Sequence, residues 1–284
     1  MSDTEIKQRV RQFYDRVGWQ VVDGEHYQNA RYEDLRPVSS EYIRRCHLRV
    51  KRFLKPAGKF LLDAGSGPVQ YAEYLEYSAG YRRRVCMDIS IVALKEARRR
   101  LGDHGLYVVA DIANLPFKAE PFEGVVSLHT LHHLPIEEQV KAYGELYRVL
   151  KPGCSAVVVN GWTDSSLMRR ALPLVKLAER FTNKKAENTG QAEAPAAQKS
   201  AEPAKDPTGT FIRKQNAAWL KETLGGKMRF DIYSWRSVSV RFLRALVHAR
   251  LGGRLFLRLL FWLEDRFPRF FGEKGQYHLV VIKK

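Results

Sequence analysis

Hydrophobic positions recur at helical spacing near the N-terminus, where Ile6, Val10, Phe13, Tyr14 and Val17 follow Thr4 as a cap and predict an amphipathic helix over 4–17. Gly18 to Pro37 carries Trp19, His26, Tyr27 and Tyr32 without periodicity and reads as an ordered loop or lid. A second helix is expected over Ser40–Leu54, stopped by Pro56 and Gly58. From Phe60 the pattern alternates. Strands are expected at 60–63, 84–87, 106–109, 124–128 and 155–160, with helices at 68–78, 91–101 and 136–150 between them. Repeated β-α-β units of this size predict an α/β, doubly wound, mostly parallel sheet with helices on both faces.

The pattern then weakens. Ser165–Phe181 reads as a basic amphipathic helix broken or kinked at Pro173. Thr182–Thr210 has no aromatic residue and almost no large aliphatic one, so it is expected to be a flexible loop. Helix Asn216–Leu224 and strands Met228–Trp235 and Tyr277–Ile282 bring the sheet to seven strands. Before the last strand lies a helical insertion, 238–271, read as two helices parted by Gly252-Gly253. Its second half is apolar on nearly every side except for a stripe of Arg254, Arg258 and Asp265. The expected organisation is an N-terminal helical cap and lid at 1–58, a core at 59–162 and 211–284 that contains the insertion, and an amphipathic helix with its loop at 163–210.

Composition changes this picture in two places. The three cysteines are far apart with no CxxC pair, which argues against a disulfide framework and a zinc site and favours a reducing cytosol. The opening Ser2-Asp3-Thr4-Glu5 is not the start of a secretory signal, and no uncharged run is long enough to span a membrane. The net charge of +17 is unevenly spread: 61–160 holds 11 basic and 12 acidic residues, whereas 238–284 holds 10 basic and 3 acidic. A neutral core with basic surroundings points to an anionic partner outside the core.

The candidate chemistry lies at strand ends. Lys59-Phe60-Leu61-Leu62-Asp63-Ala64-Gly65-Ser66-Gly67 runs a strand into a glycine turn on which a ligand can rest closely. A dinucleotide fingerprint wants a third glycine where Gln70 stands. Asp63 is unusual beside a pyrophosphate; it would either attract a cationic ligand or tie down loop amides. Asp88 follows the first glycine by about 20 residues, the spacing at which an acid takes a ribose diol. Asp111, after the third strand, could accept from an adenine amine. His129, His132 and His133 follow the fourth strand. A neutral imidazole there suits a base, for which His129 is the better candidate because the pair His132-His133 more simply opens the next helix; no acid or cysteine completes a metal set, so no metal is expected.

Six segments in order carry a resemblance: Leu61–Gly67, Cys86–Ser90, Ala110–Phe117, Phe122–Val126, Leu131–Leu134 and Arg148–Cys154. Over about 55–160 the chain resembles the class I S-adenosylmethionine-dependent methyltransferases, particularly the small-molecule branch with the ubiquinone/menaquinone-type enzymes. The resemblance implies a Rossmann-like methyltransferase fold and S-adenosylmethionine as cofactor. It places Asp63, Gly65, Gly67, Asp88, Ile89, Asp111, Ile112 and His129 at the cofactor, with His129 as the candidate base, and His26, Tyr27 and Tyr14 in a lid. The family's frequent third glycine is Val69 here, after Pro68. The family's base-amine enzymes would show Asn or Asp before Pro-Pro where this chain has Ser127-Leu128-His129-Thr130, so a nucleic-acid acceptor is disfavoured.

Basic residues mixed with apolar ones in 167–181 and 240–271 match helices that lie in a membrane interface. The expectation is a cytoplasmic enzyme, peripheral at the inner face of a membrane, with a small-molecule acceptor that includes lipid-like or membrane-held ones. An RNA methyltransferase and a non-catalytic adenosylmethionine-binding module are the alternatives, and the insertion could instead cap the sheet or meet a partner.

Overall fold

Strand β1 (Gly58–Ala64) lies between β2 (Tyr81–Asp88) and β4 (Phe122–Leu128), parallel to both, in a computed structural model that describes residues 2–20, 33–188 and 210–284. With β3 (Gly105–Val109), β5 (Leu150–Gly161), β6 (Arg229–Arg236) and β7 (Tyr277–Lys283) it forms a seven-stranded sheet in the order β3-β2-β1-β4-β5-β7-β6. Only β7 runs against its neighbours. The order reverses between β1 and β4, so their carboxyl ends part and leave a crevice there.

Apolar residues fill both faces because β1 is central. Leu62 and Ala64 join a cluster with Val85, Met87 and Val125 that packs on α5 (Ile136–Val149) and α7 (Ala217–Leu224). Leu61 joins Cys86, Val126 and Val157 on the other face, against Leu94 and Ala97 of α4 (Ile91–Leu101). A third cluster joins α2 (Ser40–Leu48) to the insertion through Tyr42, Ile43, Leu243, Leu257 and Phe261.

The departures from the expected elements have local causes. The helix expected at 68–78 is reduced to α3 (Ala72–Leu75) and a 3-10 turn, because Gly67 and Val69 both have left-handed backbones, φ 53° and 55°. Val69 is buried in this conformation, which disfavours β-branched residues, at the position where the resembled family often has glycine. The first helix, α1 (Asp3–Phe13), is capped by Ser2 rather than Thr4. Ser2 and Glu5 form a reciprocal capping box, and a π turn follows over Tyr14–Gly18. The helix expected to run to Leu54 ends at Leu48 and continues as a 3-10 turn, Val50–Phe53.

Helix α6 (Ser166–Asn188) runs through Pro173 instead of breaking and takes in the first residues expected to be loop; 189–209 lie outside the described residues. The insertion holds three α-helices rather than two: α8 (Val240–Leu246), α9 (Gly253–Arg266) and α10 (Pro268–Lys274). The polar stripe expected on α9 omits its most consequential acid. Glu264 is fully buried and accepts hydrogen bonds from Tyr42 Oη, Arg49 Nη1 and Ser237 N, each 2.8 Å, while Asp265 pairs with Arg49 and Arg52. Part of the insertion is therefore core. Among the described residues no helix is long and apolar enough to cross a membrane.

Candidate active site

The glycine turn is shaped by what surrounds it. Gly65 has φ 75°, and a Cβ there would lie 2.3 Å from Thr130 Oγ1, whose hydroxyl donates to Gly65 O at 3.2 Å. A Cβ on Gly67 would meet the Trp19 ring at 3.0 Å. Both glycines thus admit close approach by the neighbouring chain and a left-handed turn. Asp88 holds this turn: its Oδ2 accepts from Gly67 N and its Oδ1 from Ser90 N, each at 2.9 Å. Ser90 in turn caps α4 by accepting from Ala93 N at 3.1 Å. Burial is the main influence on the Asp88 carboxyl and, against those two amides, raises its pKa to about 6.

A cavity of about 420 Å³ follows the carboxyl edge of the sheet. Asp63, Gly65, Gly67, Asp88, Ile89, Asp111, Ile112 and His129 all line it, so the structure brings together every residue singled out for the cofactor. Their states differ from expectation in three respects.

First, Asp63 is not a free charge for a cationic ligand. Arg84, fully buried on β2, donates its Nε to Asp63 Oδ2 at 3.1 Å and its Nη2 to the same oxygen. Secondly, Asp111 is engaged by the N-terminal helix: Lys7 Nζ lies 2.6 Å from its Oδ2 and also pairs with Glu138, while Ala113 N donates to Oδ1 at 2.9 Å. Burial opposes ionisation of Asp111, but Lys7 and the amide lower its pKa below the ordinary value. Thirdly, His129 sits at φ 56°, its N–H donating to Val159 O at 2.7 Å and its ring set edge-on to Trp235 and Tyr277. Burial and then Arg236 lower its pKa to about 3, so the ring is neutral near pH 7 and a weak base.

The other histidines have structural partners. His133 meets Tyr14 Oη at 2.7 Å through Nε2 and Phe211 O at 2.8 Å through Nδ1; His132 Nδ1 lies 3.0 Å from Asn160 Oδ1. Tyr14 stacks on Trp19, and both line the cavity from the N-terminal segment; His26 and Tyr27 lie outside the described residues. Among the described residues no group of three His, Cys, Asp or Glu is placed to hold a metal.

The half of the cavity beyond β4 was not legible in the sequence. Glu33, Arg236, Trp235, Tyr277 and Lys214 line it. Arg236 pairs with Glu33 in the interior. Burial would raise the Glu33 carboxyl, but Arg236 and His47 hold it at about 2. Glu33 lies in a stretch without periodicity and Arg236 ends an alternating strand, so no local signal joins residues this far apart.

The cradle fits an adenosyl ligand. Two glycines present backbone at close range, a partly buried carboxylate lies at the next strand end, and an apolar slot is lined by Ile89 and Ile112. Residues 62–158 match the methyltransferase domain family. A tRNA (carboxymethyluridine(34)-5-O)-methyltransferase of Arabidopsis thaliana is 37% identical over 134 residues, covering 44% of this chain and 31% of that protein. A sterol 24-C-methyltransferase of Eremothecium gossypii is 31% identical over 148 residues, covering 51% of this chain and 38% of that one. The chain thus spans less than two fifths of either relative's length. The structure of Haemonchus contortus phosphoethanolamine N-methyltransferase 1, solved with phosphoethanolamine and S-adenosylhomocysteine, shares the fold at TM-score 0.57 and 11% identity, covering 100% of this chain and 50% of that one. Residues 62–158 thus carry a methyltransferase domain, on a fold shared with a methyltransferase solved with S-adenosylhomocysteine.

Proposed function

We propose that this methyltransferase acts on a small-molecule acceptor, lipid-like or membrane-held ones included, which enters the cavity beyond His129. The supporting observation is the enclosure of that end. Trp235, Tyr277 and His129 wall it, and Tyr14 and Trp19 reach over the glycine turn, leaving room for a small group rather than a nucleic-acid duplex. Asp88 and the glycine turn would hold the cofactor's ribose and methionine portions, Asp111 and Ile112 its adenine. When bound, the cofactor would supply an electrophilic methyl on a sulfonium, the electrons of its S–CH3 bond returning to sulfur as the methyl passes to a lone pair of the acceptor. The residues supply alignment and exclusion of water. His129, neutral and edge-on to two aromatic rings, is suited to accept a hydrogen bond that orients the acceptor; its low basicity favours an acceptor that arrives with its lone pair already free.

The net charge of +17 and the name of the plant relative support a second reading, an RNA acceptor presenting one extruded group. Labelled S-adenosylmethionine incubated with a cell extract separates the readings. Label is expected in organic-soluble or small aqueous products; label confined to RNA would sink the small-molecule reading. Binding of S-adenosylhomocysteine with no label transferred to any fraction would instead identify a binding module. Calorimetry is expected to show S-adenosylhomocysteine binding and no NAD binding.

For location, we propose attachment at the cytoplasmic face of an anionic membrane through α9. Leu255, Leu259 and Trp262 are 73%, 54% and 59% exposed and share one side of the helix, with Leu251 ahead of them at 80%. Arg250, Arg254 and Arg266 stand exposed among them. Because Leu257, Phe261 and Glu264 of the same helix are core, the test replaces side chains instead of deleting the insertion. The protein should float with phosphatidylserine-containing vesicles, and changing Leu255, Leu259 and Trp262 together to Gln should abolish flotation. No flotation of the native chain, or an unchanged triple variant, refutes the membrane proposal.

A further inference from the structure

Along the carboxyl edge of the sheet the charges are sorted by strand order. The acids Asp111, Asp88 and Asp63 lie at the carboxyl ends of β3, β2 and β1, whereas Lys214 and Arg236 stand where β5, β7 and β6 meet that edge. The second group is under-compensated. Lys214 lines the cavity beside Gly161, where a Cβ would lie 3.4 Å from its Nζ, yet among the described residues the ammonium has no hydrogen-bond or ion-pair partner. Arg236 is 2% exposed, lies with its guanidinium 4.6 Å from the Tyr277 ring centre, and gives Nη1 to Glu33; among the described residues its buried Nε–H has no acceptor. The Arg236–Glu33 pair is neutral overall, so among the described residues Lys214 leaves one positive charge in this half of the cavity. An unpaired ammonium partly withdrawn from water and an unused buried donor both cost free energy. They are suited to a ligand that brings an oxyanion.

We propose that the β5–β7–β6 end of the cavity is an anion subsite, in which Lys214 and the free Nε–H of Arg236 hold a carboxylate or phosphate carried by the methyl acceptor. This rests on the methyltransferase reading and narrows its acceptor to a molecule with an anionic group.

The test uses the full chain saturated with S-adenosylhomocysteine and titrated calorimetrically with inorganic phosphate in one arm and acetate in the other. The native protein should bind at least one of them, and the arm that does so identifies the anion. Lys214→Met should weaken that binding about 10- to 100-fold, the range of a lost charge-assisted hydrogen bond. Lys214→Arg should restore it, and S-adenosylhomocysteine affinity should not change. The Tm of Lys214→Met should be unchanged or higher, since the variant removes an uncompensated charge; a merely structural lysine would lower it. Native protein that binds S-adenosylhomocysteine but neither anion overturns the subsite alone, as does equal anion binding by Lys214→Met. A fall in S-adenosylhomocysteine affinity in Lys214→Met also overturns it, because the lysine would then serve the cofactor's own carboxylate. Native protein that fails to bind S-adenosylhomocysteine overturns the parent reading, and the subsite with it.

Discussion

Asp88→Ala is expected to weaken S-adenosylhomocysteine binding by at least about 100-fold, read by calorimetry. Two costs combine. The carboxylate accepts from Gly67 N and Ser90 N at 2.9 Å each, so its removal frees the glycine turn from the start of α4 before any ligand arrives. The ribose hydroxyls would also lose a charged acceptor, and hydrogen bonds to charged groups are worth about 1.5–3 kcal/mol each. Asp88→Asn, which keeps the shape and one acceptor oxygen, should lose less. The pH dependence follows from burial, which raises the Asp88 pKa from 3.8 to about 6. The fold favours the protonated acid, so this group's contribution to stability is present below pH 3.8 and lost as pH rises through about 6. Ribose hydroxyls donate to the ionised form, so affinity should move the opposite way and rise through the same interval. An Asp88→Ala protein that binds S-adenosylhomocysteine within about threefold of native would remove this residue from the site.

The half of the cavity proposed for the cofactor was legible because each part is local. A strand ending in Asp63-Ala64-Gly65-Ser66-Gly67, and acids at the next two strand ends, are neighbours through parallel pairing alone, and the topology follows from the alternation of elements. What these residues touch was not legible. Arg84 occurs in a run of three arginines, Arg82 to Arg84, of which one turns inward to Asp63; Lys7 reaches Asp111 from a helix 104 residues away. The half proposed for the acceptor is assembled from Glu33, His129, Lys214, Arg236 and Tyr277, five separate parts of the chain with no shared pattern. For the same reason the six segments that identify the cofactor do not choose among quinone-type, sterol or RNA acceptors. Glu264 shows the limit within one helix: its charge suggests a solvated position, yet Tyr42, Arg49 and Ser237, each distant in sequence, supply its partners in the core.

Arg84→Met should destabilise the protein by about 3–5 kcal/mol, because it leaves Asp63 charged and buried without its partner. In a chain of this length that corresponds to a fall in Tm of roughly 10 °C. Removing both charges, in Asp63→Asn with Arg84→Met, should recover most of the loss: the cost of one broken buried pair is largely that of the orphaned partner. Urea unfolding of the two single variants and the double variant measures this coupling. Additive losses would mean that the pair contributes little as a pair. The double variant also decides what Asp63 does for the cofactor. With its charge neutralised by Arg84 in the native protein, Asp63 would exert little net attraction on a sulfonium, so S-adenosylhomocysteine and S-adenosylmethionine should each bind the folded double variant within about threefold of native. A selective loss of S-adenosylmethionine affinity, about tenfold or more, would show that Asp63 senses the ligand's positive charge despite its ion pair. Equal loss for both ligands would place its action on the glycine turn.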